Sequence, residues 1–190
     1  FMTKVVNGKQ QVVATLPPSI SVKVREFARA GRATSFMAYL TGFAVLLRRL
    51  TGQVDVTVGT PISNRDLTEL EALIGYFTNT LVLRMDLSGN PGVGELLGRV
   101  RDVLLDAYRY RDVPFETLVE KLAPKRDLSR TPLFQVLFVH LGGGAPQLQQ
   151  GDTAPRGGPV LSQPDKVSTD YDLEVYVADE PEEAVVSFHF

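Results

Sequence analysis

Phe134-Gln135-Val136-Leu137-Phe138-Val139 is a short, almost unbroken apolar run. A half-buried strand alternates polar and apolar side chains, so a near-continuous run has the pattern of a central strand buried on both faces. Such a strand needs helices to cover it, and the flanking sequence supplies them. Asn90-Pro91 opens a long helix with Leu96, Leu97, Val100, Val103, Leu104 and Ala107 on one face. Pro114 suits the first position of a shorter helix, with Glu116 in its first turn, where the helix dipole favours negative charge. Pro124 ends that helix. Farther upstream, Thr34 or Ser35 caps a helix carrying Phe36, Met37, Leu40, Phe43, Ala44, Leu47 and Leu50, and Gly52 closes it. Its apolar residues occupy enough sides to be packed from more than one direction. Ile20, Val24, Phe27 and Ala28 form one face of a preceding amphipathic helix, which Gly31 stops.

The remaining strands are read from alternation and turn chemistry. Val54-Asp55-Val56-Thr57-Val58 alternates with period two, and Gly59-Thr60-Pro61 is expected to end it. Leu81 to Met85 forms another strand. Between them Ile62 to Leu73 is polar and loop-like, with a short helical possibility over Leu67 to Leu73. Near the start, Asn7-Gly8 separates two β-prone runs, the strongest short hairpin signal. Leu173 to Val177 and Ala184 to Phe190 form a terminal pair of strands around an acidic turn. Gly142 to Pro164 holds six glycines and four prolines in 23 residues and forms no regular element. Loops this long are usually functional or disordered. The order is ββ-α-α-β-β-α-α-β-β-β, an α/β fold with a mixed central sheet packed by helices.

Composition removes several classes of function. The chain has 190 residues, enough for one compact unit or one lobe of a larger one. Hydrophobic residues make up 44% and charged residues 22%, ordinary for a folded domain. Twenty basic against 22 acidic residues give a net charge of -2, with no basic cluster to displace counterions from a nucleic acid. There is no cysteine, so thiol catalysis, disulfides and Cys-based metal sites are excluded. His140 and His189 are the only histidines, too few for histidine-rich metal sites. The apolar stretch Phe36 to Leu50 is broken by Tyr39, Thr41, Gly42, Arg48 and Arg49, and is a buried helix instead of a membrane span. No signal peptide, phosphate loop, dinucleotide glycine motif, nucleophile elbow or His-Glu-x-x-His is present. Asn-x-Ser/Thr is absent at all four asparagines, which fits a cytoplasmic location. Both termini read as cuts from something longer.

Specific chemistry enters with four segments in order. Val58-Gly59-Thr60-Pro61-Ile62-Ser63-Asn64-Arg65 comes first. Ile74-Gly75-Tyr76-Phe77-Thr78-Asn79-Thr80-Leu81-Val82-Leu83-Arg84 resembles the Ile/Val-Gly-x-Phe-x-Asn-Thr segment of condensation domains in non-ribosomal peptide synthetases. Tyr110-Arg111-Asp112-Val113-Pro114-Phe115-Glu116 resembles the next, His/Asn-Gln-Asp-x-Pro-Phe-Glu. Arg126-Asp127-Leu128-Ser129-Arg130-Thr131-Pro132-Leu133 resembles Arg-Asp-x-Ser-Arg-x-Pro-Leu. The similarity runs from about Ala14 to Val139 and more loosely to the end. It departs at Tyr110-Arg111, where the family more often has His-Gln, and at Leu141-Gly142, where a polar pair containing Asn is common.

The resemblance implies one of two lobes of the chloramphenicol-acetyltransferase type, the C-terminal one, spanning 1–190. The family's catalytic His-His-x-x-x-Asp-Gly belongs to the first lobe, and this chain has no adjacent histidines. No catalytic residue is therefore assigned here, and the chain alone is expected to be inactive. The activity implied is peptide-bond formation between donor and acceptor thioesters carried on the phosphopantetheine arms of peptidyl carrier proteins, in natural-product biosynthesis. No cofactor or metal is expected to bind this lobe directly. Expected partners are the carrier proteins, the other lobe and further synthetase domains, without nucleic acid or membrane. Alternatives are a non-catalytic relative that recruits a partner enzyme to a carrier-bound peptide, and an epimerisation-domain lobe.

The resemblance places Gly59, Thr60, Pro61, Ser63, Asn64, Arg65, Gly75, Phe77, Asn79 and Thr80 at the interlobe tunnel. The loop from Gly59 to Leu73 would be the floor beneath the cleft, and 142–164 a latch that pairs with the first lobe. Arg84, Asp112, Pro114, Phe115, Glu116, Arg126, Asp127, Ser129, Arg130 and Pro132 form the structural part of the motifs. Asp112 with Glu116 could be paired carboxylates, but their spacing at a helix start fits capping and the dipole better. Arg126, Asp127 and Arg130 suit a local ion-pair network before the apolar strand. His140 and His189 have no nucleophile or carboxylate at recognisable spacing and read as satisfied strand histidines.

Overall fold

In the computed structural model the described residues are 2–6, 9–63, 78–122, 131–141, 171–180 and 183–190. In chain order they form β1 (Met2–Val6), β2 (Lys9–Leu16), α1 (Pro18–Ala30), α2 (Ser35–Thr51), β3 (Asp55–Ser63), β4 (Thr78–Asp86), α3 (Val93–Arg109), α4 (Phe115–Leu122), β5 (Val136–Leu141), β6 (Leu173–Asp179) and β7 (Ala184–His189). The strands make one sheet in the order β1-β2-β7-β6-β5-β3-β4. It is mixed: β5 is parallel to β3 and to β6, and every other neighbouring pair is antiparallel. The order of elements read from the sequence is the order observed.

Local chemistry explains the helix ends. Pro18 begins α1, where its missing N–H would be unsatisfied anyway. Thr34 Oγ1 accepts from the Met37 amide at 3.3 Å and caps α2, while Gly52 ends it with φ of 75°, a left-handed conformation glycine adopts without strain. Val24, Phe27 and Ala28 of α1 pack on the core as expected and Ser21 is buried beside them, but Ile20 at the first turn is exposed. Leu50, one of the apolar residues expected to pack from α2, is 75% exposed in the helix's last turn.

The core joins Leu40, Phe43, Ala44 and Leu47 of α2 and Leu97, Val100 and Leu104 of α3 to Val56, Val58, Leu83, Phe138, Val175 and Val177 of the sheet. Strand register puts those sheet residues on one face. Their neighbours Leu137, Val139 and Leu141 project to the other face and stay partly exposed. The expectation that the apolar run is buried on both faces is therefore corrected, since α2 and α3 pack against one face. The run is also out of register: β5 starts at Val136, and Phe134 lies before it.

Three further boundaries differ. Gly59-Thr60-Pro61 does not end β3, which continues to Ser63 in unbroken register with β4. Pro61 stands opposite Thr80 of β4, beyond Gly59, the position at which β3 is bridged to β5. Pro114 precedes α4 instead of starting it, and its carbonyl accepts from Thr117 and Leu118 at 3.0 and 3.3 Å. Asn90-Pro91 lies in the turn before α3, and Gly92 holds its N-cap position.

Candidate functional site

Asn79 is the most connected of the residues singled out by the motifs. Its side-chain Nδ2 donates to the carbonyls of Arg111 and Val113 at 2.7 and 2.8 Å. Its Oδ1 accepts from the amides of Phe115 and Thr80 at 3.1 and 2.9 Å. One amide group thus satisfies backbone in the turn between α3 and α4 and ties that corner to the start of β4. The full use of this polar side chain explains why asparagine is required: its O and N differ, and the corner needs both. This chemistry is structural.

Gly59 is buried in mid-strand, and a Cβ there would collide with the ring of Phe134. Phe134 is itself 1% exposed, held between Phe115 (5.6 Å between ring centroids) and Tyr171 (5.2 Å, stacked). Thr60 is buried, Pro61 and Thr80 are partly exposed, and Ser63 faces solvent opposite Thr78. Arg84 makes a two-pronged ion pair with Asp55, with contacts of 2.6 to 3.1 Å. That hydrogen bonding, more than charge alone, holds the Asp55 carboxyl below its ordinary range. Both groups are open to water, so the pair contributes orientation and little stability. Asp112 and Glu116 are exposed, as is Pro132. Asn64, Arg65, Gly75, Phe77, Arg126, Asp127, Ser129 and Arg130 lie outside the described residues, as do Asn7-Gly8, the short helix over 67–73 and the segment 142–164.

Two polar clusters were not legible in the sequence. On the helix-covered face, Asp179 at the end of β6 is 2% exposed at its side chain. It accepts from Arg25 of α1 at 2.8 Å and from the Tyr39 hydroxyl of α2 at 3.3 Å. His140 Nε2 lies 4.0 Å from its other oxygen, with the imidazole packed against Phe36 and Tyr39. Burial first, and the neighbouring carboxylate second, push the Tyr39 hydroxyl up. His140 therefore has a carboxylate neighbour after all. The cluster was invisible in the sequence because Asp179 meets Tyr39 and Arg25 across 140 and 154 residues of chain.

On the opposite face, His189 of β7 faces Gln11 of β2 and Glu174 of β6 in cross-strand register. Its Nε2 lies 3.2 Å from Ser187 Oγ and 3.3 Å from Gln11 Nε2. The Tyr176 hydroxyl donates to Glu174 at 2.8 Å, and burial together with this bond pushes it well up. Burial lowers the His189 pKa, with Glu174 opposing the shift. The unfolded chain therefore takes up a proton more readily than the folded one. Stability should thus be full above the ordinary histidine value of 6.5 and decline as pH falls from there toward the lowered folded value. Thermal midpoints of wild type and His189→Gln between pH 7.5 and pH 5 (about two and a half units spanning that value) should differ in slope below 6.5. Parallel curves would show that His189 carries no such linkage.

Among the described residues no group of three or more His, Asp or Glu could hold a metal ion, and no helix is long and apolar enough to cross a membrane. An open depression lined by Leu105, Tyr108, Arg109 and Arg111 adjoins the Asn79-held corner. What the described residues offer is a rigid frame, without a complete catalytic set.

Comparison with known proteins points to a family. The family described as "Condensation domain" matches residues 4–190. The isonitrile lipopeptide synthase of Mycobacterium tuberculosis is 48% identical over 141 residues, which are 74% of this chain and 6% of that protein. The malpinin synthetase of Mortierella alpina is 47% identical over 119 residues, 63% of this chain and 2% of that protein. The chain thus spans a small fraction of these relatives' length. Among solved structures, the X-domain from teicoplanin biosynthesis superposes with a TM-score of 0.78 at 25% identity, covering 96% of this chain and 41% of that one.

Proposed function

The chain belongs to the condensation-domain family, and from that membership we propose that it is the C-terminal lobe of a domain that forms peptide bonds in a non-ribosomal peptide synthetase. Its fold is the mixed, chloramphenicol-acetyltransferase-like α/β fold of condensation-domain structures. The observation that carries the reading is coverage: nearly the whole chain aligns with about two fifths of a larger solved one, 41%, as one lobe of two would. The four ordered sequence motifs point the same way.

In the reaction proposed, the amine of the acceptor aminoacyl thioester attacks the carbonyl of the donor thioester. A C–N bond forms, the C–S bond breaks, the donor arm leaves as a thiol, and the amine gives up a proton. Holding both thioesters together supplies most of the advantage a one-walled lobe could contribute, because proximity alone removes several kcal/mol of barrier. This lobe would supply a tunnel wall and a docking surface for the carrier proteins whose phosphopantetheine arms deliver the substrates. Gly59, Thr60, Pro61, Ser63, Asn64, Arg65, Gly75, Phe77, Asn79 and Thr80 remain the candidates for the wall and floor. Asn79, with its side chain committed to backbone, would act there as frame and not as a substrate contact. The setting would be cytoplasmic, with further synthetase domains as neighbours.

Amide formation between two loaded carrier proteins, followed by mass spectrometry, tests this. The intact synthetase module should yield the condensed product. The 190-residue chain alone should yield none, because the reading places the catalytic motif in the other lobe. Product from this chain by itself would overturn the assignment of the chemistry, and an inactive intact module would overturn the function.

A further inference from the structure

Leu133 has φ of 71°, a left-handed conformation that a bulky side chain adopts only under strain. The Phe134 amide donates back to the Pro132 carbonyl at 2.9 Å, closing a three-residue turn around Leu133. Thr131 Oγ1 donates to the Phe134 carbonyl at 2.6 Å, and Gln135 Nε2 donates to the Thr131 carbonyl at 3.0 Å. Three hydrogen bonds thus over-determine a strained turn that sets the direction of the Phe134 side chain. That ring is driven onto Gly59, which has no side chain to oppose it, and between Phe115 and Tyr171. Phe115 is in turn held at its backbone by Asn79.

The contacts make a continuous path from the strained turn to β3, to the start of β4, and to the α3–α4 corner. No element of regular structure needs Phe134 in this place, since β5 begins two residues later. Strain that surrounding structure enforces is found where geometry matters to function. We propose that Phe134 is a positioning residue of the condensation reaction: seated on Gly59, it locks the corner held by Asn79 and so sets the wall this lobe presents. The inference rests on the functional reading above.

Two readouts on the intact synthetase module test it. Phe134→Leu keeps an apolar side chain but loses the flat ring, and should lower kcat about tenfold, with KM for either carrier nearly unchanged, as misplacement without loss of binding does. Hydrogen exchange at the Phe115 amide should quicken in the same variant. Gly59→Ala should do both, because its methyl displaces the ring. The double variant Gly59→Ala/Phe134→Leu should be no worse than the poorer single, since both break one contact. Multiplying effects, or an unchanged kcat in folded Phe134→Leu, would overturn the proposal. So would unaltered exchange at Phe115. If the wild-type module makes no amide, the functional reading fails and the reaction role with it, whereas the exchange result still decides the lock.

Discussion

Replacing Phe138 with Ala is expected to destabilise the fold by about 3–5 kcal/mol. Phe138 is 1% exposed in β5, a strand with neighbours on both sides. Its ring stacks on Phe43 at 5.4 Å and meets Phe36 edge-on at 5.7 Å, so truncation opens a cavity between α2 and the sheet. Both partners are anchored in a helix packed on two sides and cannot collapse into the gap. Denaturant titration of the variant checks this. A loss below about 1 kcal/mol, the level of an ordinary surface change, would mean that the α2–β5 contact is not where the structure has it. Val139 on the partly exposed face is the internal control and should tolerate the same truncation far better.

The second large effect belongs to the ion pair beneath α1. Arg25→Met removes the cation from a carboxylate that is 2% exposed and leaves only the Tyr39 hydroxyl and the His140 ring beside it. Stranding a buried charge in this way costs about 3–5 kcal/mol in general, and the 25% exposure of Arg25 puts the expectation at the lower end. Asp179→Leu should be milder, because a partly exposed guanidinium can recover water. Combining the two should restore much of what Arg25→Met loses, since a neutral pair leaves no charge unpaired. A double variant as unstable as the sum of the singles would show that Arg25 and Asp179 do not act on each other. Arg25 also donates to the Glu180 carbonyl just past the end of β6.

These two residues mark the boundary of what the sequence could tell. Phe138 was marked out by its neighbours in the chain, because periodicity is a local signal and a buried strand writes it into a handful of consecutive residues. The helices α1, α2, α3 and α4, the order of the eleven elements among the described residues and the family resemblance come from the same kind of local pattern. So does the requirement for Asn79 and Gly59, although their reasons differ from those a motif suggests. Asn79 is needed by four backbone groups, and Gly59 by the ring of a residue 75 positions away (134 less 59).

By itself, then, the sequence determined the fold class, the family and the inventory: no cysteine and two histidines. Tertiary structure alone decided the rest. It showed which face of the sheet α2 and α3 cover, because which face a helix covers depends on the path of distant connections. It carried β3 through Gly59-Thr60-Pro61, because pairing with β4 runs on to Ser63. It brought Asp179 to Arg25, Tyr39 and His140, and Glu174 to His189, because cross-strand and helix-to-sheet partners share no spacing that a single chain could display. Electrostatic contacts depend on distance in space, and the chain records only distance along itself.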